Sequence, residues 1–247
     1  MNWSAPKRPV DHVEEALISA ILEGDFPPGS ALPAERELAA RLGVTRPTLR
    51  EVLRRLERDG WITIQQGKST LVNAFWWEGG LNVISGIVRY SRTLPDDFVS
   101  NLLQVRLDLA PSYTRLAVIH DAPGVAVLLA EADSLPEAPP AFAAYDWRLQ
   151  HGLTIASRNP VYAMILNGFA GFYESLACHY FATAEARSVS RAYYAALLEA
   201  ARAGDAPRAE MVTREVMAHS ITLWAQAQHA LIAQSPGEGW RRKEEQP

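Results

Sequence analysis

The chain holds one cysteine, Cys178, in 247 residues. A lone thiol excludes an intramolecular disulfide and fits a reducing compartment, so a cytoplasmic location is expected. Long hydrophobic runs are also missing. The run GVAVLLA soon meets Glu131, and no segment approaches the length of a membrane span, so no membrane partner is expected. The opening MNWSAPKRPVDHVEEAL lacks the apolar stretch of a signal peptide. Positive charge is not in excess: the net charge is −4, which argues against a surface coated in cations. No metal set is apparent. Asp146 and His151 are five residues apart, about 100° off a shared helical face, and the residue four after Asp146 is Gln150, a poor transition-metal ligand. Cys178 and His179 are adjacent, so on a helix they do not face each other, and no third group accompanies them. Without a nucleophile–base pair, no enzyme is expected. Neither internal repeats nor low-complexity tracts occur.

What is present is a globular composition, 48% hydrophobic and 21% charged, long enough for one or two domains. The most specific stretch is Leu32 to Val72. Pro33 suits a first helical position, Glu35 and Glu37 favour a helix start, and Ala34, Leu38 and Leu42 are spaced for one buried face. Gly43 ends that helix, and Thr45 is a good cap for the next. In the second helix Leu49, Val52, Leu53 and Leu56 form the apolar stripe, with Arg46, Arg50 and Arg54 on the other side. Asp59-Gly60 stops it. Trp61 to Gln65 alternates like a strand, Gln66-Gly67-Lys68-Ser69 turns, and Thr70-Leu71-Val72 returns. Two helices, a tight turn and a hairpin are the pattern of a winged helix-turn-helix.

These side chains suit DNA. Arg46 and Arg50 can offer forked donors to guanine, and Thr45 and Thr48 suit phosphate oxygens at a helix start. Gln66, Gly67 and Lys68 form a hairpin tip able to enter a minor groove. Residues 35–70 carry eight Lys/Arg against five acids, an excess of three in a chain that is acidic overall. A solvated amphipathic helix would explain the arginine stripe, but neither the Gly43 turn nor the hairpin.

An amphipathic helix is expected over 10–23. Asn73 to Gly80, NAFWWEGG, reads as a link whose tryptophans either seat one domain on the other or simply pack in a core. Beyond it, helical patterns run through about 81–92, 95–119, 122–133, 139–157, 160–180, 185–203 and 206–232. The expected fold is therefore mainly α: a winged helix-turn-helix over 1–75, a linker over 76–82, an antiparallel α-helical bundle over 83–234 and a loose tail over 235–247. Within the bundle Arg106, Tyr173, Tyr180, Tyr194, Ser220 and Trp224 mix polar tips with apolar bodies. They either line a ligand cavity or form a core whose tyrosines are satisfied at its edges and whose Arg106 is ion-paired.

The motifs LPAERELA, VTRPTLREVLRRLERDGW and ITIQQGK resemble the GntR family of bacterial transcription regulators. AFW at 74–76, GLNVI, NLLQVR, ASRNPVYAMILNGFAGFY and HYFATAEARS extend the likeness to its acyl-CoA-responsive members. That resemblance implies a homodimer on a pseudo-palindromic operator in double-stranded DNA, and a long-chain acyl-CoA effector that releases it. It implies repression of fatty-acid degradation genes and activation of unsaturated fatty-acid synthesis genes, with no cofactor. By position it implies DNA contacts at Arg36, Thr45, Arg46, Thr48, Arg50 and Gly67. It implies an acyl-CoA site at Arg106, Tyr173, Tyr180, Tyr194, Ser220 and Trp224. Departures stand at Gln66 for a histidine, Pro47 for a threonine and Gln150 for an aromatic. Met217, His219 and His229 stand for a glycine, a glutamate and a lysine. The family's metal-binding branch uses an Asp and three His, and Gln150 and Tyr194 occupy two of those places. A GntR-type regulator with another effector, such as an organic acid, and an acyl-CoA-handling enzyme are the competing readings.

Overall fold

The computed structural model describes residues 8–91 and 94–234, with side chains as far as Gln226. The chain divides into two compact units after Pro95, and Gly168–Phe172 belongs to the first. The tail expected from residue 235 lies outside the described residues.

The first unit begins with α1 (Pro9–Leu22), whose Val13, Leu17, Ile18 and Ile21 are buried. After a loop come α2 (Glu35–Arg41) and α3 (Arg46–Asp59). Gly43, at φ +65°, makes the turn between them. Pro33 lies ahead of α2 instead of opening it, because Ala34 is the cap residue. Leu38 and Ala39 provide the buried face, and Ala34 is exposed. Thr45 caps α3 by accepting from the Thr48 amide at 3.4 Å, and Gly60 ends it at φ +96°. The stripe Leu49, Val52, Leu53 and Leu56 is buried, with α1 packed against α3. Each such leucine contributes about 1.5–3 kcal/mol by leaving water.

The hairpin is shorter than the sequence alternation predicts. Strands β1 (Ile62–Thr63) and β2 (Leu71–Val72) pair antiparallel, Ile62 opposite Val72. An isolated bridge joins Ala31 to Leu71. The NAFWWEGG stretch is partly helical: α4 (Phe75–Glu78) leads into α5 (Leu81–Tyr90). The boundary between the two units, after Pro95, falls later in the chain than residues 76–82. Phe75 is buried against Trp61, ring centroids 5.0 Å apart, whereas Trp77 is exposed.

The second unit is a helical bundle. Its spine is α6 (Phe98–Ala130), broken at Asp121, whose φ of −154° leaves the helix. There Asp121 Oδ1 accepts from the Gly124 amide at 3.0 Å, restarting the helix where the sequence punctuation predicts. A 3-10 turn (Glu131–Ser134) leads to α7 (Pro139–Ala156). The single helix expected over 160–180 is two, α8 (Pro160–Asn167) and α9 (Tyr173–Tyr180), separated by the segment that belongs to the first unit. Helices α10 (Ala184–Ala203) and α11 (Ala206–Gln234) form a hairpin across Gly204, left-handed at φ +65°. Helix α6 packs against α7, α10 and α11. Phe142, Leu149, Leu153 and Leu197 sit at the centre of the apolar core. Among the described residues, no helix is long and apolar enough to cross a membrane.

A cationic helix face and a polar bundle interior

Two places in the molecule bring chemistry-bearing side chains together, one in each unit. In the first, the cap that starts α3 leaves Thr45, Arg46 and Arg50 exposed. Thr45 and Thr48 hydroxyls lie 2.9 Å apart. Among the described residues Arg36, Arg46, Arg54 and Lys68 make no ion pair, so their charges face solvent. Arg50 is different: its Nε donates to Glu35 Oε2 on α2 at 2.7 Å. Along the same helix, Pro47, Arg50, Glu51, Arg54, Arg55 and Arg58 line a groove of about 560 Å³. Arg55 is neutralised there by Glu51 at 2.7 Å and by Glu14 at 3.5 Å.

The hairpin tip carries Gln66, Gly67 and Lys68, all exposed, with Gly67 at φ +73°. Its base is tied to α3. Glu57 accepts from the Ile64 amide at 2.9 Å. Asn73 accepts from Thr63 Oγ1 at 2.7 Å and donates to the Gly60 carbonyl at 3.1 Å. Glu35, Glu57 and Asn73 set the geometry of this face and were not among the predicted site residues. Glu35 and Glu57 lie within the motif and Asn73 just after it, but nothing in their spacing marks the hydrogen bonds they make. An exposed cationic helix start with a cationic hairpin tip is suited to a polyanion with two grooves.

In the second unit Arg106 on α6 reaches Asp146 on α7, Nη2 to Oδ2, at 2.7 Å. Tyr173 on α9 donates to the same oxygen at 2.6 Å, and Tyr194 on α10 to the other at 3.4 Å. The Arg106 guanidinium also sits 5.7 Å from the Tyr173 ring centre. Three of the six predicted bundle residues thus converge on Asp146, a carboxylate weighed in the sequence only as a metal ligand. Its oxygens are taken by the guanidinium and two phenols. Among the described residues no three His, Cys, Asp or Glu side chains gather as a metal site.

Burial is the largest single influence and opposes the Arg106 charge, but Asp146 and the phenols of Tyr173, Tyr113 and Tyr193 together hold the guanidinium well above its ordinary range. Burial pushes Tyr173 and Tyr194 well up, and Tyr180 up to about 12. Tyr180 is near enough to Arg106 and Asp146 to feel both. Ser220 spends its hydroxyl on the Met217 carbonyl of its own helix at 2.7 Å, and Trp224, one turn later, is half-buried. Cys178 is half-buried beside the core, and His179 bonds the Ser175 carbonyl at 2.8 Å.

The interior is not fully satisfied. Arg106 Nε, Thr114 Oγ1, Gln150 Nε2, Tyr180 Oη and Trp224 Nε1 are buried without a hydrogen-bond partner. Ser190 lies close enough to Tyr180, and Gln150 to Tyr193, to act on the phenol as a hydrogen-bonding neighbour, but Tyr180 Oη and Gln150 Nε2 lack the geometry of a full bond. Each orphaned group costs about 1–3 kcal/mol if nothing meets it. Water, or polar atoms from outside the chain, would relieve that cost.

The comparisons with known proteins fall along the same two parts. The model for "Bacterial regulatory proteins, gntR family" matches residues 9–72, and that for "FadR C-terminal domain" matches residues 73–235. The fatty acid metabolism regulator protein of Cronobacter sakazakii is 42% identical over 230 residues, covering 93% of this chain and 95% of that one. Its counterpart in Escherichia fergusonii is 40% identical over the same shares. The solved structure of Lar, described as controlling the Listeria monocytogenes agr system, aligns with a TM-score of 0.63 at 16% identity. It covers 90% of this chain and 99% of that one, a likeness of fold.

Proposed function

Because this chain belongs to the GntR family of bacterial regulatory proteins and, within it, to the fatty acid metabolism regulators, we propose that it is an operator-binding homodimer released from DNA by long-chain acyl-CoA. It is a transcription regulator and not an enzyme. In this reading Arg46 and Arg50 read base edges, and Arg36, Thr45 and Thr48 hold phosphates. Gln66, Gly67 and Lys68 follow the minor groove. Arg106, Tyr173, Tyr180, Tyr194, Ser220 and Trp224 border the acyl-CoA site. Without ligand the protein represses fatty-acid degradation genes and activates unsaturated fatty-acid synthesis genes.

The observation that supports this most is the convergence of Arg106, Tyr173 and Tyr194 on buried Asp146 beside orphaned donors. A two-state linkage connects the halves: ligand prefers a bundle arrangement in which the paired recognition helices no longer fit adjacent half-sites. Ligand shifts this equilibrium only by its difference in affinity between the two states. A hundredfold loss of DNA affinity needs about 2.7 kcal/mol of coupling, within the ordinary allosteric range. The coupling is reciprocal, so operator DNA weakens acyl-CoA binding by the same factor.

Fluorescence anisotropy on an operator duplex of the fatty-acid-regulator type, at fixed salt, tests it. Binding that is released by oleoyl-CoA, but not by free CoA, is the expected result. Binding indifferent to oleoyl-CoA would keep the regulator and remove the effector.

A further inference from the structure

The buried polar groups of the bundle form two neighbouring sets, and the Arg106–Asp146 pair accounts for one. The second consists of Tyr113 and Thr114 on α6, Gln150 on α7, Tyr193 on α10 and Thr213 on α11. All are more than nine-tenths buried: Thr114, Gln150 and Thr213 at 0% exposure, Tyr113 at 4%, Tyr193 at 6%. Four helices contribute, so this polarity is not a local cap. Tyr113 donates to Gln150 Oε1 at 2.6 Å, and Tyr193 and Thr213 hydroxyls lie 3.3 Å apart. Thr213 donates to the Ala209 carbonyl at 2.7 Å. Gln150 Nε2 and Thr114 Oγ1 are left without partners.

The two sets adjoin. Gln150 follows Asp146 by one helical turn, about 6 Å along α7, and Tyr113 lies two turns beyond Arg106 on α6. A ligand that reaches Arg106 and Asp146 and continues into the bundle meets Gln150 next. A plain hydrocarbon chain there would cover the Gln150 amide and the Thr114 hydroxyl with methylenes that cannot bond them. An oxygen on that chain would accept from Gln150 Nε2.

We propose that the effector's buried chain carries its own oxygen: a hydroxyacyl or oxoacyl thioester, recognised by the Gln150 amide within the Tyr113–Thr114–Tyr193–Thr213 set. This rests on the acyl-thioester reading above and narrows it. It sets oxygenated chains above plain ones of equal length, because only they meet the orphaned amide.

The test uses the full-length protein on a fluorescent operator duplex. Hexadecanoyl-CoA is titrated against 3-hydroxyhexadecanoyl-CoA, and octadecanoyl-CoA against 12-hydroxyoctadecanoyl-CoA. At least one hydroxylated thioester is expected to displace DNA at roughly tenfold lower concentration than its parent, the size of one hydrogen bond. Gln150→Leu should erase that preference by improving the plain thioester, and Thr114→Val gives the same comparison should Gln150→Leu not fold. Parity between every hydroxylated thioester and its parent in the unaltered protein would overturn the inference and leave the acyl-thioester reading standing. This is also the result expected if water, or the thioester carbonyl itself, meets the amide. A preference that survives Gln150→Leu would overturn the assignment to that residue. Displacement by no thioester at all would remove the effector reading and the inference together.

Discussion

On the proposed reading of α3, Arg50 is partly aimed before any DNA arrives. Glu35 holds its Nε at 2.7 Å, which leaves the two terminal nitrogens for a base edge. Exposed pairs of this kind contribute little to folding, about 0–1 kcal/mol, so the value of Glu35 lies in direction. Removing an acid from a DNA-facing surface would, by charge alone, strengthen binding to every duplex. Glu35→Gln should instead lower operator affinity relative to a scrambled duplex, measured by anisotropy at equal salt. A uniform gain on both duplexes would show that the carboxylate only repels. Arg46→Ala should cost about 1–3 kcal/mol of operator affinity and relax base preference. Unchanged affinity would remove Arg46 from the readout. In the bundle, Asp146→Ala leaves the Arg106 charge, whose side chain is 21% exposed, without its counter-ion. A loss of about 3–5 kcal/mol is expected by urea unfolding, and a loss below 1 kcal/mol would mean water replaces the carboxylate. Arg46 and Arg50 were legible in the sequence because one helix fixes their spacing. For Arg106 an ion pair was one of the two readings, but its partner Asp146 was not legible, because it stands 40 positions away on a different helix.

At the level of elements, local signals carried most of the fold. Thr45, Gly43 and Gly60 each mark a boundary where a side chain or a left-handed backbone is required, and the structure puts boundaries there. Asp121 breaks α6 for the same kind of reason. The break at 168–172 had a local signal that the expected 160–180 helix passed over: Asn167-Gly168 and Gly171 interrupt an otherwise helical pattern where α8 ends and before α9 begins. Pro33 misled because it fits a first helical position equally well as the residue before a cap. Helix α5 contains a glycine with a different reason for being there. A Cβ on Gly86 would stand 2.6 Å from Trp61 Cζ2, and Trp61 is 1% exposed against Phe75. Gly86→Ala raises helix propensity but must displace the indole. A net destabilisation of about 1–3 kcal/mol is expected from overpacking, read from thermal melts followed by tryptophan fluorescence. A higher melting temperature would show that the indole moves freely.

For the whole molecule, the buried phenols make alkaline pH the sensitive side. Burial raises Tyr173 and Tyr194 well above the usual 10 and carries Tyr180 and Tyr193 up to about 12. A group whose folded value exceeds its unfolded value stabilises fully below the unfolded value of about 10 and loses that contribution as pH rises through the folded one. Melting temperature should therefore hold from pH 8 to near 10 and fall between 10 and 12, with tyrosinate absorbance at 295 nm rising late and with unfolding. Phenols that all titrate near pH 10 in the folded protein would contradict the packing described. Whole-chain composition announced a globular chain, periodicity a mainly helical one, and the count over residues 35–70 a local cationic excess. It could not announce the polar centre, because tyrosine, threonine and glutamine have the same composition whether they line an interior or a surface.

The return of Gly168–Phe172 to the first unit, where the Gly168 carbonyl lies 3.4 Å from Ser85 Oγ, bears on modularity. The family boundary at 72/73 looks like a seam along which halves could be exchanged. Yet α4, α5 and residues 168–172 travel with the bundle in sequence while packing as part of the other unit. A chimera joined at residue 72 would graft a foreign reading head onto surfaces shaped for Trp61 and its neighbours. Side chains on the exposed faces of α2, α3 and the hairpin tip, by contrast, can be exchanged without disturbing that shared packing, so a change of reading specificity is better engineered there than at the seam.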